Sequence, residues 1–128
     1  MTRQAGLWID HRETIAVLLR DGGEETRRIK SGMEKHVRFS GGNQPEDGLA
    51  EDERDRQFAS HLTRYYDDVI SNIHDAESIL VFGPGEAKGE FAKRLAAKGL
   101  GARIVGVETA DKMTPRQIVA KVRQHFQK

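Results

Sequence analysis

The chain has 128 residues, which is enough for one domain of ordinary size with its own hydrophobic core. It has no cysteine, which excludes disulfides and thiol chemistry, and no apolar run long enough to cross a bilayer. Its 21 Lys and Arg residues are balanced by 20 Asp and Glu residues, so no strong net charge attracts it to nucleic acid. We therefore expect a cytoplasmic protein with one domain over residues 1–128, no cofactor, no metal site and no membrane contact, whose electrostatic contacts come from local patches.

The N-terminal part predicts an antiparallel meander of strands. Ala5–His11 alternates in polarity and Thr14–Leu19 is β-branched and apolar, so each predicts a strand, and the short link between them predicts a tight hairpin. Residues 21–23, Asp-Gly-Gly, are a strong turn signal. Glu24–Lys30 then predicts a third strand, whose charged residues are typical of a sheet edge.

A long segment rich in glycine separates this meander from the rest of the chain. Ser31–Ala50 contains few apolar residues, and it predicts a flexible loop. Helical spacing of apolar residues begins again over Glu51–Asp75, so the loop should lead into a long amphipathic helix. The helix face predicted to pack in the core contains Phe58, Leu62, Tyr65, Val69 and Ile73.

The C-terminal half alternates strands with helices. Ser78–Phe82 predicts a buried strand, Glu86–Lys98 a helix, and Arg103–Glu108 another strand. Residues 114–117, Thr-Pro-Arg-Gln, form a capping box with proline at the first position of the last helix. Strands that are reached through helices should be parallel, by right-handed crossovers. The element order predicts an α/β domain with a ribonuclease H-like fold, in which a mixed five-stranded sheet in the order 3-2-1-4-5 has helices on both faces.

Basic residues are concentrated just before and within the predicted loop. Between residues 27 and 38 the only acidic residue is Glu34, and the basic ones are Arg27, Arg28, Lys30, Lys35, His36 and Arg38. Residues 46–55 have the opposite sign. A charged stretch of this kind is typical either of a solvated face or of a patch that binds RNA phosphates.

A glycine-rich turn joins the predicted fourth strand to the following helix. Free amides and partial positive charge at a helix N-terminus favour an anion such as phosphate. However, Gly83-Pro84-Gly85 lacks both the Gly-Lys-Ser/Thr sequence of a P-loop and the spacing of a dinucleotide-binding motif. We therefore interpret these residues as a tight turn that lets the helix pack against the sheet, and not as a phosphate site.

The same turn resembles part of a known domain. Residues 81–85 (Val-Phe-Gly-Pro-Gly), followed by Lys88 and Phe91, resemble the strand–turn–helix segment in the central domain of eukaryotic and archaeal class I peptide-chain release factors and of Pelota. Leu7–Leu19 is similar to the opening hairpin of that domain, and Val105-Gly106-Val107 to its penultimate strand. The small bacterial family described as translational machinery proteins is similar as well. The resemblance therefore implies a role in translation.

The resemblance also implies a role for the predicted loop. In release factors, a Lys-His pair precedes a Gly-Gly-Gln loop that enters the peptidyl-transferase centre and helps water attack the peptidyl-tRNA ester. This chain has Lys35 and His36, and then Gly41-Gly42-Asn43-Gln44, in which Asn43 is inserted before the glutamine. Catalysis tolerates little displacement of a reacting group. The resemblance thus implies binding to the ribosome, rRNA or tRNA through the basic stretch and Gly41–Gln44. An enzymatic alternative is hydrolysis of peptidyl-tRNA with Gln44 as the catalytic residue. A third alternative is that the segment is a solvated loop without a function of its own.

Two further hypotheses remain open from the sequence. Ribonuclease H enzymes gather carboxylates around metal ions, and Asp10, Glu108 and Asp111 lie at the ends of predicted strands, so a metal-dependent nuclease is one alternative. The edge strand Glu24–Lys30 could instead pair with another chain, which would make the protein an interaction module that self-associates. The histidines are scattered, and no pair has the spacing of a metal site.

Overall fold

The structure is a computed structural model that describes residues 3–20, 22–32 and 48–126, with side chains described from residue 57 onward in the first helix. The strands are β1 (Gln4–Ile9), β2 (Glu13–Arg20), β3 (Gly23–Lys30), β4 (Ser78–Gly83) and β5 (Ile104–Thr109). The α-helices of the described residues are α1 (Gly48–Ile73), α2 (Ala87–Ala97) and α3 (Pro115–Phe126). A short 3-10 helix, Gly101–Arg103, precedes β5.

The sheet has five strands in the order β3-β2-β1-β4-β5. The β1–β2 and β2–β3 pairs are antiparallel, whereas β4 pairs in parallel with β1 on one side and with β5 on the other. Strands joined by short turns pair antiparallel, and strands reached through a helix pair in parallel. The predicted α/β fold class and strand order are therefore confirmed.

The two faces of the sheet bury separate clusters of apolar side chains. On one face, α1 and α2 pack over sheet residues such as Leu7 and Val81, and α2 contributes Phe91 to the same cluster. On the other face, α3 packs over residues such as Trp8 and Phe82. Full burial of a side chain the size of Phe contributes roughly 1.5–3 kcal/mol of transfer free energy. Helices cover both faces, as predicted, because the central strands alternate apolar residues toward each of them.

Two local features differ from the sequence predictions. The helix α1 begins at Gly48, so the last residues of the predicted loop are helical, while residues 33–47 of that loop lie outside the described residues. Phe58 was assigned to the buried stripe but is 41% exposed, because it lies in the first part of α1, where its ring contacts only the edge of His11 among the described aromatic rings. Val105 and Val107, for which no burial was predicted, are exposed in the edge strand β5.

The first glycine of the Gly83-Pro84-Gly85 turn is required by a close approach of two backbones. Gly83 has a φ of 154°, and a Cβ atom there would overlap the carbonyl oxygen of Ile9 at the end of β1. The Gly83 carbonyl also accepts a hydrogen bond from the amide of Ala110, 3.0 Å away, just after β5. The turn thus lets β1, β4 and β5 end side by side.

A bidentate ion pair joins the two helices on the same face. Arg94 in α2 donates from Nε to Asp67 Oδ1 at 2.7 Å and from Nη2 to Asp67 Oδ2 at 2.9 Å. These hydrogen bonds hold the pKa of the Asp67 carboxyl below its usual value. Lys98 Nζ lies 3.9 Å from the same carboxylate. Both side chains are about one-third exposed, so the pair contributes less than a buried one would.

We predict that Gly83→Ala destabilises the fold by more than about 2 kcal/mol, because the added methyl group has to displace the β1 backbone. The matched control is Gly89→Ala in α2, where a Cβ meets no atom within 4 Å. That change should raise the free energy of unfolding by about 0.5–1 kcal/mol, since alanine is the better helix former. Urea unfolding measures both. A Gly83→Ala protein as stable as the wild type would contradict the close approach.

We predict that Asp67→Asn lowers the free energy of unfolding at pH 7 by about 0.5–1 kcal/mol, the value of a favourable surface pair. The folded-state pKa of Asp67 is depressed, so its contribution is present above the unfolded pKa of about 4 and is lost as pH falls through the folded pKa. The difference in the free energy of unfolding between the wild type and Asp67→Asn should therefore become smaller below pH 4. An equal difference at pH 7 and in acid would count against the ionic interaction.

Candidate nucleic-acid interface

One end of the sheet brings several chain turns together. Because β1, β3, β4 and β5 all run in the same direction, their carboxyl ends lie at this end, which we call the carboxyl edge. It contains residues 10–13, 30–32, 83–85 and 110–114. The helices α2 and α3 follow β4 and β5 directly, so they begin there too. In open α/β sheets, ligands bind beyond the carboxyl ends of the parallel strands.

Hydrogen bonds fix the hairpin turn at this edge. Asp10 Oδ1 accepts from the amides of Arg12 and Glu13, at 2.8 and 2.9 Å. The Tyr65 hydroxyl donates to the Asp10 carbonyl at 3.0 Å and lies 2.7 Å from Thr14 Oγ1. Burial raises the pKa of Tyr65, so its phenol stays protonated as a donor. The Asp10 carboxylate therefore holds the turn in shape.

The same turn anchors the end of β3. The Ser31 amide donates to the Arg12 carbonyl at 2.8 Å, and the Ser31 hydroxyl donates to the His11 carbonyl at 2.7 Å. A ring nitrogen of His61, in α1, is hydrogen-bonded to the Ser31 carbonyl. These contacts fix the position from which the chain leaves the sheet toward the glycine-rich segment.

A groove of about 460 Å³ lies between α1 and the end of β3. Its lining residues are Lys30, Ser31, His61, Arg64, Tyr65, Asp67 and Asp68. The side chains of Lys30 and Arg64 are exposed, and so is that of Arg12 in the adjacent turn. None of these three cations takes part in an ion pair between described residues, whereas Asp67 is held by Arg94. Asp68 also lines the groove, exposed and without an ion pair between described residues. The three cations therefore leave only a small excess of positive charge at this edge.

Three of the basic residues predicted to bind RNA lie in β3, and their side chains have different surroundings. Arg27 donates from Nε to Glu25 at 2.8 Å and from Nη1 to the side chain and carbonyl of Asn72, so its guanidinium ties β3 to α1. Arg28 Nε lies 3.5 Å from Glu13. Lys30 alone of these three lines the groove.

The other predicted binding residues lie outside the described residues: Lys35, His36, Arg38, Gly41, Gly42, Asn43 and Gln44. Their RNA contacts and the catalytic role of Gln44 stay predictions. Two cations of the edge were missed by the sequence reasoning, Arg12 and Arg64. Arg12 is in a short turn, and Arg64 occupies a polar position of an amphipathic helix. The sequence around each of them does not distinguish it from an ordinary surface arginine.

A second polar cluster lies beside the glycine-rich turn. Glu90 Oε1 is 3.0 Å from His11 Nε2 and accepts a hydrogen bond of 2.7 Å from the Tyr66 hydroxyl. Burial and this bond to Glu90 raise the pKa of Tyr66, which keeps its hydroxyl a donor. Glu86 and Glu90 place negative charge at the start of α2. Since these carboxylates would repel an anion there, the turn is better explained as packing than as a phosphate site.

The three acids of the nuclease alternative do not form a metal site. Asp10 caps the hairpin turn, and Glu108 Oε1 lies 2.9 Å from Lys121 Nζ in α3. Asp111 accepts a hydrogen bond from Trp8 Nε1 through its backbone carbonyl, at 3.0 Å. Within residues 3–20, 22–32 and 57–126, no three His, Asp or Glu side chains are grouped so that they could hold a metal ion. The geometry thus gives the nuclease hypothesis no support.

Comparisons with known proteins show what the fold is similar to. No family model and no curated protein matches the chain. Among solved structures, it is similar to the Pelota protein of Thermoplasma acidophilum, with 20% identity and a TM-score of 0.61 over 96% of this chain and 32% of that one. The Pelota protein of Archaeoglobus fulgidus is 15% identical, with a TM-score of 0.59 over 97% of this chain and 31% of that one.

An archaeal translation termination factor, aRF1, is 13% identical, with a TM-score of 0.52 over 93% of this chain and 37% of that one. The chain thus spans about a third of the length of each of these solved proteins. No helix in the described part of the chain is both long and apolar enough to cross a membrane. The resemblance to small bacterial translational machinery proteins stays a prediction. The structural likeness establishes that the chain has the fold of one domain of Pelota and of aRF1.

Proposed function

We propose that the protein is a translation-associated accessory protein that binds ribosomal RNA or tRNA through its carboxyl edge. The observation that carries the proposal is the position of three cations that have no acidic partner in the described structure. Arg12, Lys30 and Arg64 surround the point where the chain enters the glycine-rich segment. The likeness of the fold to a translation termination factor supports the translational setting.

Because acidic and basic residues are nearly equal in number, any attraction to RNA depends on where the unpaired cations lie. The chain as a whole has a net charge of only +1, so it is not attracted to RNA by its total charge. Several acids near the edge are engaged: Glu13 lies beside Arg28, Glu90 beside His11, and Asp67 beside Arg94. Asp68, in the groove lining, has no ion pair between described residues. The unpaired cations can then neutralise backbone phosphates, which is the interaction that dominates affinity for nucleic acids.

The proposed surface extends into the glycine-rich segment. Lys35, His36 and Arg38 follow Gly32 in the sequence, and Gly41–Gln44 come next. We include these residues with Lys30 and Arg64, and we assign Arg27 to the packing of β3 on α1 because its guanidinium is occupied. Phosphate contacts fix position but read no base sequence, so we expect binding to depend on RNA shape and salt more than on sequence.

We predict that the protein co-sediments with ribosomes from its own organism at low salt, and that affinity falls steeply as salt rises. Replacing both Lys30 and Arg64 by Ala should weaken binding and reduce the slope of log affinity against log salt by about 0.7–0.9 per lost phosphate contact. The control replaces Arg20 and Arg123 by Ala. It removes the same charge from exposed positions toward the opposite end of the sheet, where their partners are Glu25 and Glu24.

The control variant should bind like the wild type. Absence of ribosome binding at low salt would overturn the proposed function. Equal losses in the two double variants would show that net charge, and not the carboxyl edge, is responsible.

A further inference from the structure

The two open edges of the sheet differ in chemistry. The β3 edge has charges of both signs, and these are joined in ion pairs with one another, with β2 or with α3. The charged residues are Glu24, Glu25, Arg27 and Arg28. Charged side chains of this kind are a common means by which proteins prevent an edge strand from pairing with another chain. The β3 edge is therefore protected.

The β5 edge lacks this protection. Its sequence, Ile-Val-Gly-Val-Glu-Thr, contains one ionisable residue, Glu108, and Lys121 lies 2.9 Å from that carboxylate. Val105 and Val107 are 48% and 43% exposed, and the only other exposed large hydrophobic side chain among the described residues is Phe58. Among the described strands, only β4 pairs with β5. The outer side of β5 thus combines free backbone groups with exposed β-branched side chains.

We propose that β5 pairs with β5 of a second copy of the chain, antiparallel and about a two-fold axis at Val107. The sheet would then run continuously through both copies. Pairing of two identical strands is isologous, so it closes as a dimer and does not grow further. The free amides and carbonyls of the edge would be satisfied by the same ladder that is found inside the sheet.

The sequence of β5 is complementary to itself in this register. Val107 faces Val107 of the second copy, and Val105 faces Thr109, so the exposed β-branched side chains form cross-strand pairs. Gly106 faces Glu108, so the carboxylates are not directly opposite each other. An axis at Glu108 would place the two carboxylates face to face and is disfavoured. The sequence of this edge therefore favours pairing with a second copy of the same chain.

The expected dimer is weak. A strand of six residues is about 20 Å long, so the pair buries less surface than the roughly 1,200–2,000 Å² of a stable interface. The register also shifts between Ile79 and Leu80, opposite the start of β5, which shortens the regular part of the edge. We therefore expect a monomer–dimer equilibrium over roughly 10 μM to 1 mM. The groove beside β3 lies at the other edge of the sheet and stays free.

Analytical ultracentrifugation of the full chain tests the proposal. The wild type should show a mass that rises with concentration, and Val107→Lys should weaken the dimer at least tenfold because it places two ammonium groups opposite each other. Thr26→Lys is the matched control, since it adds the same charge to an exposed position in the middle of β3. It should leave the equilibrium unchanged.

Cross-linking gives a second measurement that does not depend on a destabilising charge. The chain has no cysteine, so Val107→Cys introduces a unique thiol. Residues directly opposite in an antiparallel pair have Cα atoms about 4.5–5.5 Å apart, within the range for a disulfide. Oxidised glutathione should therefore link Val107→Cys into a dimer much faster than Thr26→Cys. The proposal would be overturned by a wild-type chain that stays monomeric at all concentrations, or by a dimer that only Thr26→Lys disrupts. Equal cross-linking of the two cysteine variants would overturn it as well.

Discussion

Where β1 and β4 end at the carboxyl edge, the backbone of Gly83 lies so close to the carbonyl of Ile9 that no side chain fits between them. This contact allows β4 to end level with β1, with which it pairs in parallel, and allows the chain to turn back into α2. The helix can then bury Phe91 against the same face of the sheet as α1. Because the strands end side by side, the hairpin turn and the end of β3 lie at one edge. The turn from β4 into α2 therefore depends on this glycine.

At that edge, hydrogen bonds decide which charges stay available. The Asp10 carboxylate is used to cap the hairpin turn, and Ser31 and His61 fix the end of β3 against α1. Elsewhere, arginines such as Arg27 and Arg94 are bound by acidic partners and hold elements together. Lys30 and Arg64, which have no ion pair between described residues, line the same groove. This local placement of charge, in a chain with almost no net charge, is what supports the proposed binding of phosphates.

The sequence was sufficient to predict the strand order and the capping of the last helix, where Thr114 and Gln117 exchange the expected hydrogen bonds. Both follow from local patterns of polarity and turn residues. The exposure of Phe58 and Val107 could not be predicted, because periodicity identifies the apolar face of an element but not where the neighbouring element ends. For the site, Lys30 was predicted to bind RNA because it is basic and near the loop. The structure places it in the groove lining, and its RNA contact stays a prediction. Arg64 depends on a tertiary contact that no local pattern specifies.

We propose that the carboxyl edge, together with the glycine-rich segment that follows Gly32, contacts RNA. Amide chemical shifts of the labelled protein, recorded by NMR during titration with tRNA at low salt, test this most directly. We predict shifts that are largest at Arg12, in residues 30–32 and at Arg64, and that disappear when salt is raised. Shifts confined to the opposite end of the sheet, where Arg3 pairs with Asp75, would contradict the account.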